Sequence, residues 1–590
     1  MPVLNWIGKE KVITHHNDVP YHTLKRTYSF DENGQHEEDN GSENMIIHGD
    51  NLIALKALLP TYEGRVNCIY IDPPYNTGNE GWVYNDNVND PRIKKWLNQV
   101  VGKEGEDLSR HDKWLCMMYP RLQLLKKLLH PVDGAIFISI DDNEYAPLKL
   151  ICDEIFGLTN HVATIVWQKR YSRENREAIG DSHEYIACYA MNPERFKTVR
   201  NFLPLTDKQT LLYKNPDKDP RGPWQSVSML AQGYRPNQMY TITSDNGIEH
   251  VPPPGNCWRH IESEFLKLRE DNRIYFGPNG NGVPRKKVFL SEAKGLVPWT
   301  WWPHTEVGHT DEAKKEIIKI FGTADTFDTP KPSRLISQIL HIASHPNDIV
   351  LDCFAGSGTT AEVVLALNHK DKGNRRFICI EMMGYADSIT AERAKRAIQG
   401  YASTKDVQFT IFDKELKASD LIKGAELLLE AKEARKEAQE SGEYDSVAAP
   451  KLVDNRLQVV AKVKGSDEIK GTGGNFSFYE LGAPVVDEDG FNPSVTEEEK
   501  KAYIWQTETR TKYVPLQDGS DGCLGIRDGQ AVYLFHDDNE GTVFNRKSLC
   551  NMKHRAENYV VYADACTFSE EELDRMNIVF RKIPRDVITK

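Results

Sequence analysis

Asp72-Pro73-Pro74-Tyr75 is the stretch of this chain best suited to do chemistry. The carboxylate can accept a hydrogen bond from an exocyclic amine. The Pro73 carbonyl can accept a second, because the two prolines fix the backbone around it. Tyr75 adds a flat face on which a base can stack. Two acceptors converging on one nitrogen, beside an aromatic ring, would hold and orient an NH2 group. A strand followed by a plain proline turn would use the same residues without any chemistry. The run from Val66 to Ile71 before it is apolar, so the motif is expected at the carboxyl end of a buried strand, where open α/β sheets place their ligands.

A second stretch, Asp348 to Thr360, reads as a strand, a glycine turn and a helix start. Its turn is Asp352-Cys353-Phe354-Ala355-Gly356-Ser357-Gly358-Thr359. The glycines permit a tight turn and close backbone approach to a ligand, and the helix start favours negatively charged groups. Glu381 ends the next strand, Arg376 to Ile380, and an acid about 20 residues after such glycines can bind ribose hydroxyls. This stretch alone would also suit a dehydrogenase. The amine clamp separates the two, since hydride transfer has no use for it. Phosphoryl transfer is disfavoured, because no GxxxxGK[ST] loop occurs.

Both stretches need strands and helices to position them, and the sequence supplies an alternation. A strand from Asn44 ends near Asp50, which is either a helix N-cap or a cofactor contact. A helix follows with apolar spacing at Leu52, Leu55, Leu58 and Leu59. Further helices are expected over Trp114 to Leu129 and 145 to 156, and strands over Gly134 to Ile140, Val162 to Trp167 and His183 to Ala190. Strands alternating with helices give an α/β fold with a doubly wound, mostly parallel sheet. The polar stretch Asn76 to Arg110 is long enough to be a loop closing over substrate.

Residues 191 to 320 break this rhythm with turns at Asp219 to Trp224, Pro252 to Gly255 and Gly277 to Gly282, and with interleaved Trp and Tyr. Met191 to Thr300 carries a net charge of roughly +5, whereas the whole chain carries -13. Any single aromatic here is better explained as core, but the insertion as a whole is expected to meet DNA. Arg221, Arg235, Arg285, Lys286 and Lys287 are its candidate contacts. The acidic total argues against nonspecific coating of nucleic acid.

The 590 residues are 39% hydrophobic and 27% charged, enough for about three or four domains of ordinary composition. No run approaches the ~18 apolar residues of a membrane span, and Met1 to Lys11 lacks a signal peptide's apolar core. Ten cysteines without a CxxC pair fit reduced thiols in a bacterial or archaeal cytoplasm, and no metal site is expected.

With both motifs placed, the chain resembles the amino-group DNA methyltransferases in their β arrangement: catalytic motif, recognition insertion, cofactor loop. More narrowly it resembles the modification subunits of type III restriction-modification systems. That similarity extends to Leu4-Asn5-Trp6-Ile7-Gly8-Lys9, Asn281-Gly282-Val283-Pro284-Arg285, Gly471 to Phe476 and Ile578 to Asp586. The resemblance implies a Rossmann-like methyltransferase fold with permuted motif order. It implies that Asp72, Pro73 and Tyr75, with Pro74 in the same motif, hold a flipped-out adenine whose N6 is methylated by direct displacement. Phe354, Gly356 and Gly358, within the turn from Asp352 to Thr359, would line an S-adenosylmethionine pocket together with Glu381 and Asp50. Lys331 and Ser333 resemble the family's helix-start motif near the methionine end, though Thr329-Pro330 departs from its common spelling. Double-stranded DNA, a homodimer and a restriction subunit are the implied partners. Methylation of cytosine N4, or of an RNA or protein amide, and a DNA-recognition subunit without catalysis are the alternatives.

The expected organisation is an arm over 1–40, a catalytic domain over 41–190 and 321–400, and a target-recognition domain over 191–320. A helical connector over 401–450 and a C-terminal α+β domain over 451–590 complete it.

Overall fold

The computed structural model describes residues 3–77, 110–171, 178–416, 424–442, 444–453, 455–486, 490–511, 513–516, 521–537 and 541–583. Most of the loop expected to close over substrate lies outside these, as do Gly78 and Pro584 to Asp586. The described residues form two compact units, one of 1–200 with 299–590 and the other Asn201–Pro298.

The first unit is built on one sheet. Its strands are β1 (His22–Asp31), β2 (Gly34–His36), β3 (Met45–His48), β4 (Cys68–Ile71), β5 (Ala135–Ile140), β6 (His161–Gln168) and β7 (His183–Ala190). They continue with β8 (Trp301–Trp302), β9 (Ile349–Asp352), β10 (Arg376–Glu381) and β11 (Phe476–Pro484). The order across the sheet is β8-β6-β7-β5-β4-β9-β10-β3-β11-β1-β2. From β5 to β11 neighbouring strands are parallel, while β7 runs antiparallel to both β5 and β6. The central strands β4, β5 and β9 are buried along their whole length, which is why their sequences read as unbroken apolar runs.

Helices cover both faces. Leu55 and Leu58 of α1 (Asn51–Tyr62), Trp114, Met118 and Leu122 of α2 (Arg110–Leu128) and Ile151 of α3 (Tyr145–Phe156) join Ile69, Ile71, Ile138 and Leu351 in one core. The opposite face receives α4 (Ser333–Ala343) against β4 and α5 (Thr359–Asp371) against β10. This is the doubly wound α/β arrangement that the alternating sequence predicts.

The consequence for function is the neighbourhood of β4 and β9. They are adjacent and parallel, with Cys68 opposite Val350 and Ile69 opposite Leu351, although 280 residues separate Asp72 from Asp352. Here the chain order along the sheet reverses, and such a switch point leaves a crevice at the carboxyl ends. Because β7 is antiparallel, its amino end lies at that same edge, with Tyr185 opposite Ile140.

Three features depart from the sequence reading. Residues 22–36 are not an arm lying on a neighbour but edge strands of the central sheet. Strand β11, expected within a separate C-terminal domain, sits between β3 and β1. Gly400–Glu415 pairs along its length with Arg456–Lys470, so a boundary at 450 cuts through a two-stranded ribbon. All three require long-range pairing, which local periodicity does not encode.

The second unit has a small core of Met229, Ile242, Trp258, Phe265, Ile274 and Phe276. Three strands, Trp224–Ser228, Arg285–Phe289 and Ile274–Tyr275, pair around it, and its two ends meet where the Leu203 N–H donates to the Leu296 carbonyl at 2.9 Å. Trp224 and Trp258 are buried, as expected of core aromatics, while Tyr234 is exposed.

Candidate active site

The carboxyl edge of the sheet carries a row of acids: Asp72 after β4, Asp141 after β5, Asp352 and Glu381 at the ends of β9 and β10. A cavity of about 780 Å³ opens there, within the size range of small-molecule and cofactor sites. Asp72, Pro73, Pro74 and Tyr75 line one part of it. Asp352, Phe354, Ala355, Gly356, Ser357, Thr359 and Glu381 line another, with Lys331 between. The two stretches singled out by residue type therefore open into one space.

The loop after β4 is held firmly. The Trp114 indole N–H donates to the Pro74 carbonyl at 2.7 Å. Asn76, buried and in the left-handed region at φ 60°, donates to Glu144, which also takes His111 Nδ1 at 2.8 Å. The Tyr75 hydroxyl lies 2.8 Å from Asp72 and 3.0 Å from Glu184, and its single proton goes to one of the two carboxylates at a time. Burial pushes the Tyr75 hydroxyl well above the ordinary phenol range, with Asp72 and Glu184 adding to the rise. Tyr75 thus remains a neutral donor and a flat apolar surface.

Lys331 reaches the same place from the segment before α4. Its ammonium donates to both oxygens of Asp72, at 2.8 and 2.7 Å, and lies 3.7 Å from Glu184. Burial raises Asp72 above the usual carboxylate range, opposed by Lys331. Burial alone would lower Lys331, yet Asp72 and Glu184 outweigh it and lift the ammonium above its ordinary value.

The glycine turn has the shape a ligand needs. Gly356 has φ 51° and Gly358 φ 81°, values that L side chains rarely adopt. The Glu381 carboxylate accepts the Gly356 N–H at 2.8 Å and the Met383 N–H at 3.0 Å, and burial lifts it to about 7. Asp352 accepts from the Phe354 N–H at 3.1 Å and the Thr360 hydroxyl at 2.5 Å, and burial raises it to about 7. Arg393, buried, donates to the Ser357 and Thr359 hydroxyls at 3.0 and 2.8 Å and to Glu362 at 2.5 Å.

Three expected cofactor residues make contacts within the protein. Asp50 caps α1, accepting the Leu52 N–H at 2.7 Å, the first of the two roles its position suggests. Ser333 gives its N–H and hydroxyl to Glu316 at 3.0 and 2.7 Å. Gly358 makes the turn and packs on the Thr390 carbonyl. None of the three is in the cavity lining.

Among the candidate DNA contacts, Lys287 is corrected outright: it is 1% exposed and ion-paired with Asp217 and Asp219. Its strand alternates, so Arg285 is exposed, Lys286 half-buried and Lys287 inside. Arg221 is chelated by Asp219 and Asp271 over the Phe289 ring, and Arg235 is exposed beside Gln238.

Sequence reasoning missed Glu184, Lys169, Phe327 and Tyr385, which also line the cavity. Glu184 was the one with a signal, an acid inside the otherwise apolar run of β7.

A family model described as DNA methylase matches residues 66–392, more than half of the chain and both motifs. The chain belongs to the DNA methylase family. Curated relatives of this methylase include the StyLTI Mod subunit, a type III restriction-modification enzyme of Salmonella typhimurium strain LT2. It is 37% identical over 380 residues, covering 60% of this chain and 55% of that protein. The EcoPI Mod subunit of Escherichia phage P1 is 33% identical, covering 71% of this chain and 69% of its own. The EcoP15I Mod subunit of Escherichia coli is 31% identical, with 68% and 67% covered. The match thus spans about half of the StyLTI subunit and about two thirds of the other two. Among the described residues, no helix of the methylase is long and apolar enough to cross a membrane.

Proposed function

We propose that this methylase transfers a methyl group from S-adenosylmethionine to N6 of adenine in double-stranded DNA, as the modification subunit of a type III restriction-modification system. One observation carries the reading: the Asp72 to Tyr75 acceptors and the Gly356 turn open into one cavity at the β4–β9 switch point.

The residues present fit the cofactor. Glu381 lines the cavity as an acceptor suited to ribose hydroxyls, held in place by the Gly356 and Met383 N–H groups. Phe327, Phe354 and Tyr385 give the cavity flat walls, with Phe327 and Tyr385 edge-on at 5.7 Å. A side chain on Gly356 would crowd the Phe327 ring at 3.1 Å, and its absence leaves that part of the cavity wall open. S-adenosylmethionine, when bound, supplies an electrophilic methyl group.

The chain's own residues do the rest. Adenine leaves the duplex, at a cost of about a few kcal/mol, and stacks on Tyr75. Asp72 and the Pro73 carbonyl accept the two N6–H bonds and turn the nitrogen lone pair out of conjugation with the ring. Positioning supplies most of the rate, and Asp72 receives the proton that N6 sheds. Arg235, Arg285 and Lys286 of the second unit are proposed DNA contacts. A cytoplasmic homodimer working with a restriction subunit completes the proposal: the relatives' names support the type III system, while the homodimer and the location rest on the family resemblance alone.

The test is single-molecule sequencing of DNA from cells expressing the methylase or its D72A variant. N6-methyladenine in one short motif, absent with D72A, is the expected result. N4-methylcytosine would change the base and keep the clamp. No mark from a protein that binds S-adenosylmethionine would overturn DNA as the substrate.

A further inference from the structure

The target base needs two things from this site, an acceptor for its amine and a face to stack on, and Lys331 occupies both. Its ammonium donates to both Asp72 oxygens, at 2.8 and 2.7 Å, and lies 4.8 Å from the centre of the Tyr75 ring. An exocyclic amine arriving at Asp72 would compete for the same lone pairs. A buried ammonium deprived of its carboxylate is strongly destabilised, so Lys331 can yield only if a second acceptor lies within reach.

Glu184 meets that condition. Its carboxylate is 3.7 Å from the Lys331 ammonium, so a short side-chain movement brings the two into contact. It stands at the amino end of β7, opposite Trp167 of β6, which puts it at the cavity edge. It accepts the Tyr75 hydroxyl at 3.0 Å, and Lys169 lies 3.4 Å away on its other oxygen. We infer that the Lys331 ammonium fills the amine clamp as a stand-in for the substrate amine, and that Glu184 is the positioning residue that receives it when the base enters. This rests on reading the protein as an amino-group DNA methylase. The exchange has a chemical consequence: Lys331 opposes the rise that burial imposes on Asp72, so its departure makes that carboxylate a better acceptor for the N6 proton.

The experiment is a double-mutant cycle on the full chain. Tritium transfer from labelled S-adenosylmethionine, at saturating cofactor, is measured on plasmid DNA from a host lacking the mark. Wild type, K331M, E184Q and the double variant are compared. Without Glu184 the lysine stays on Asp72, the base-competent fraction falls, and the KM for DNA rises about tenfold, with kcat held within about twofold. K331M lowers the KM for DNA, and E184Q then adds nothing. E184D, which keeps the carboxylate, restores the KM. An equal E184Q penalty with and without Lys331 would make Glu184 a prop for Tyr75 and overturn the inference. A raised KM in K331M overturns it whether or not E184Q folds. A wild type that transfers no tritium to DNA sinks the methylase reading itself, whereas an active wild type with additive penalties sinks this inference alone.

Discussion

Asp352 is 2% exposed, and its two oxygens accept from a backbone N–H and a hydroxyl. Burial, helped by Asp72 and Glu381, lifts it from 3.8 to about 7. The native state therefore keeps a proton that the unfolded chain releases. Its stabilising contribution is complete below the unfolded value and is lost as pH rises towards 7. D352N removes the ionisation and keeps both hydrogen bonds, since the Thr360 hydroxyl can accept as readily as donate. D352N should match wild type near pH 4 and exceed its stability at pH 8 by on the order of a few kcal/mol. Urea unfolding across that range checks it, and a gap independent of pH would assign the difference to packing. At this scale the residue types were legible. Asp72, Tyr75 and Glu381, picked out by kind and position, line one cavity, whereas the burial of Lys287 depends on which face of its strand is turned inward.

The glycine turn between β9 and α5 shows how an element carries a site. At Gly358, φ is 81° and an added Cβ would stand 2.5 Å from the Thr390 carbonyl oxygen. Gly356 faces only the tip of the Phe327 ring at 3.1 Å, which can yield. G358A should therefore cost about 2 kcal/mol or more, combining strained backbone with a clash against main chain. It should also abolish the thermal shift given by S-adenosylmethionine, while G356A keeps more of the fold. Melting curves with and without the cofactor separate the two variants. The turn itself was readable from glycine spacing. The bracing behind it was not: Arg393 lies 3.7 Å from Glu316, which holds Ser333, and nothing in those residues' spacing pairs them.

For the molecule as a whole, β11 decides what can be removed. It lies between β3 and β1, with Phe478 opposite Ile46 on one side and Tyr28 on the other. A chain ended at residue 475 would leave β3 as an open edge and detach β1 and β2. Such a truncation should lose cooperative unfolding and expose a sheet edge prone to association, read by circular dichroism melts and light scattering. If it melts as sharply as the full chain, β11 is an accessory to the sheet. Nothing in the local sequence assigns this strand its partners.

The sequence by itself determined the alternation of strands and helices, the acceptor-rich motif at one strand end and the glycine turn at another, because these depend on residues close in the chain. Tertiary structure alone brought Asp72 within one cavity of Asp352, set β4 against β9 and placed Lys331 on Asp72. It also carried Glu184 from an antiparallel strand to the same edge. Those relations are set by which distant strands pair and in which direction. That choice follows from how the whole sheet buries its faces, and no short stretch of sequence contains it.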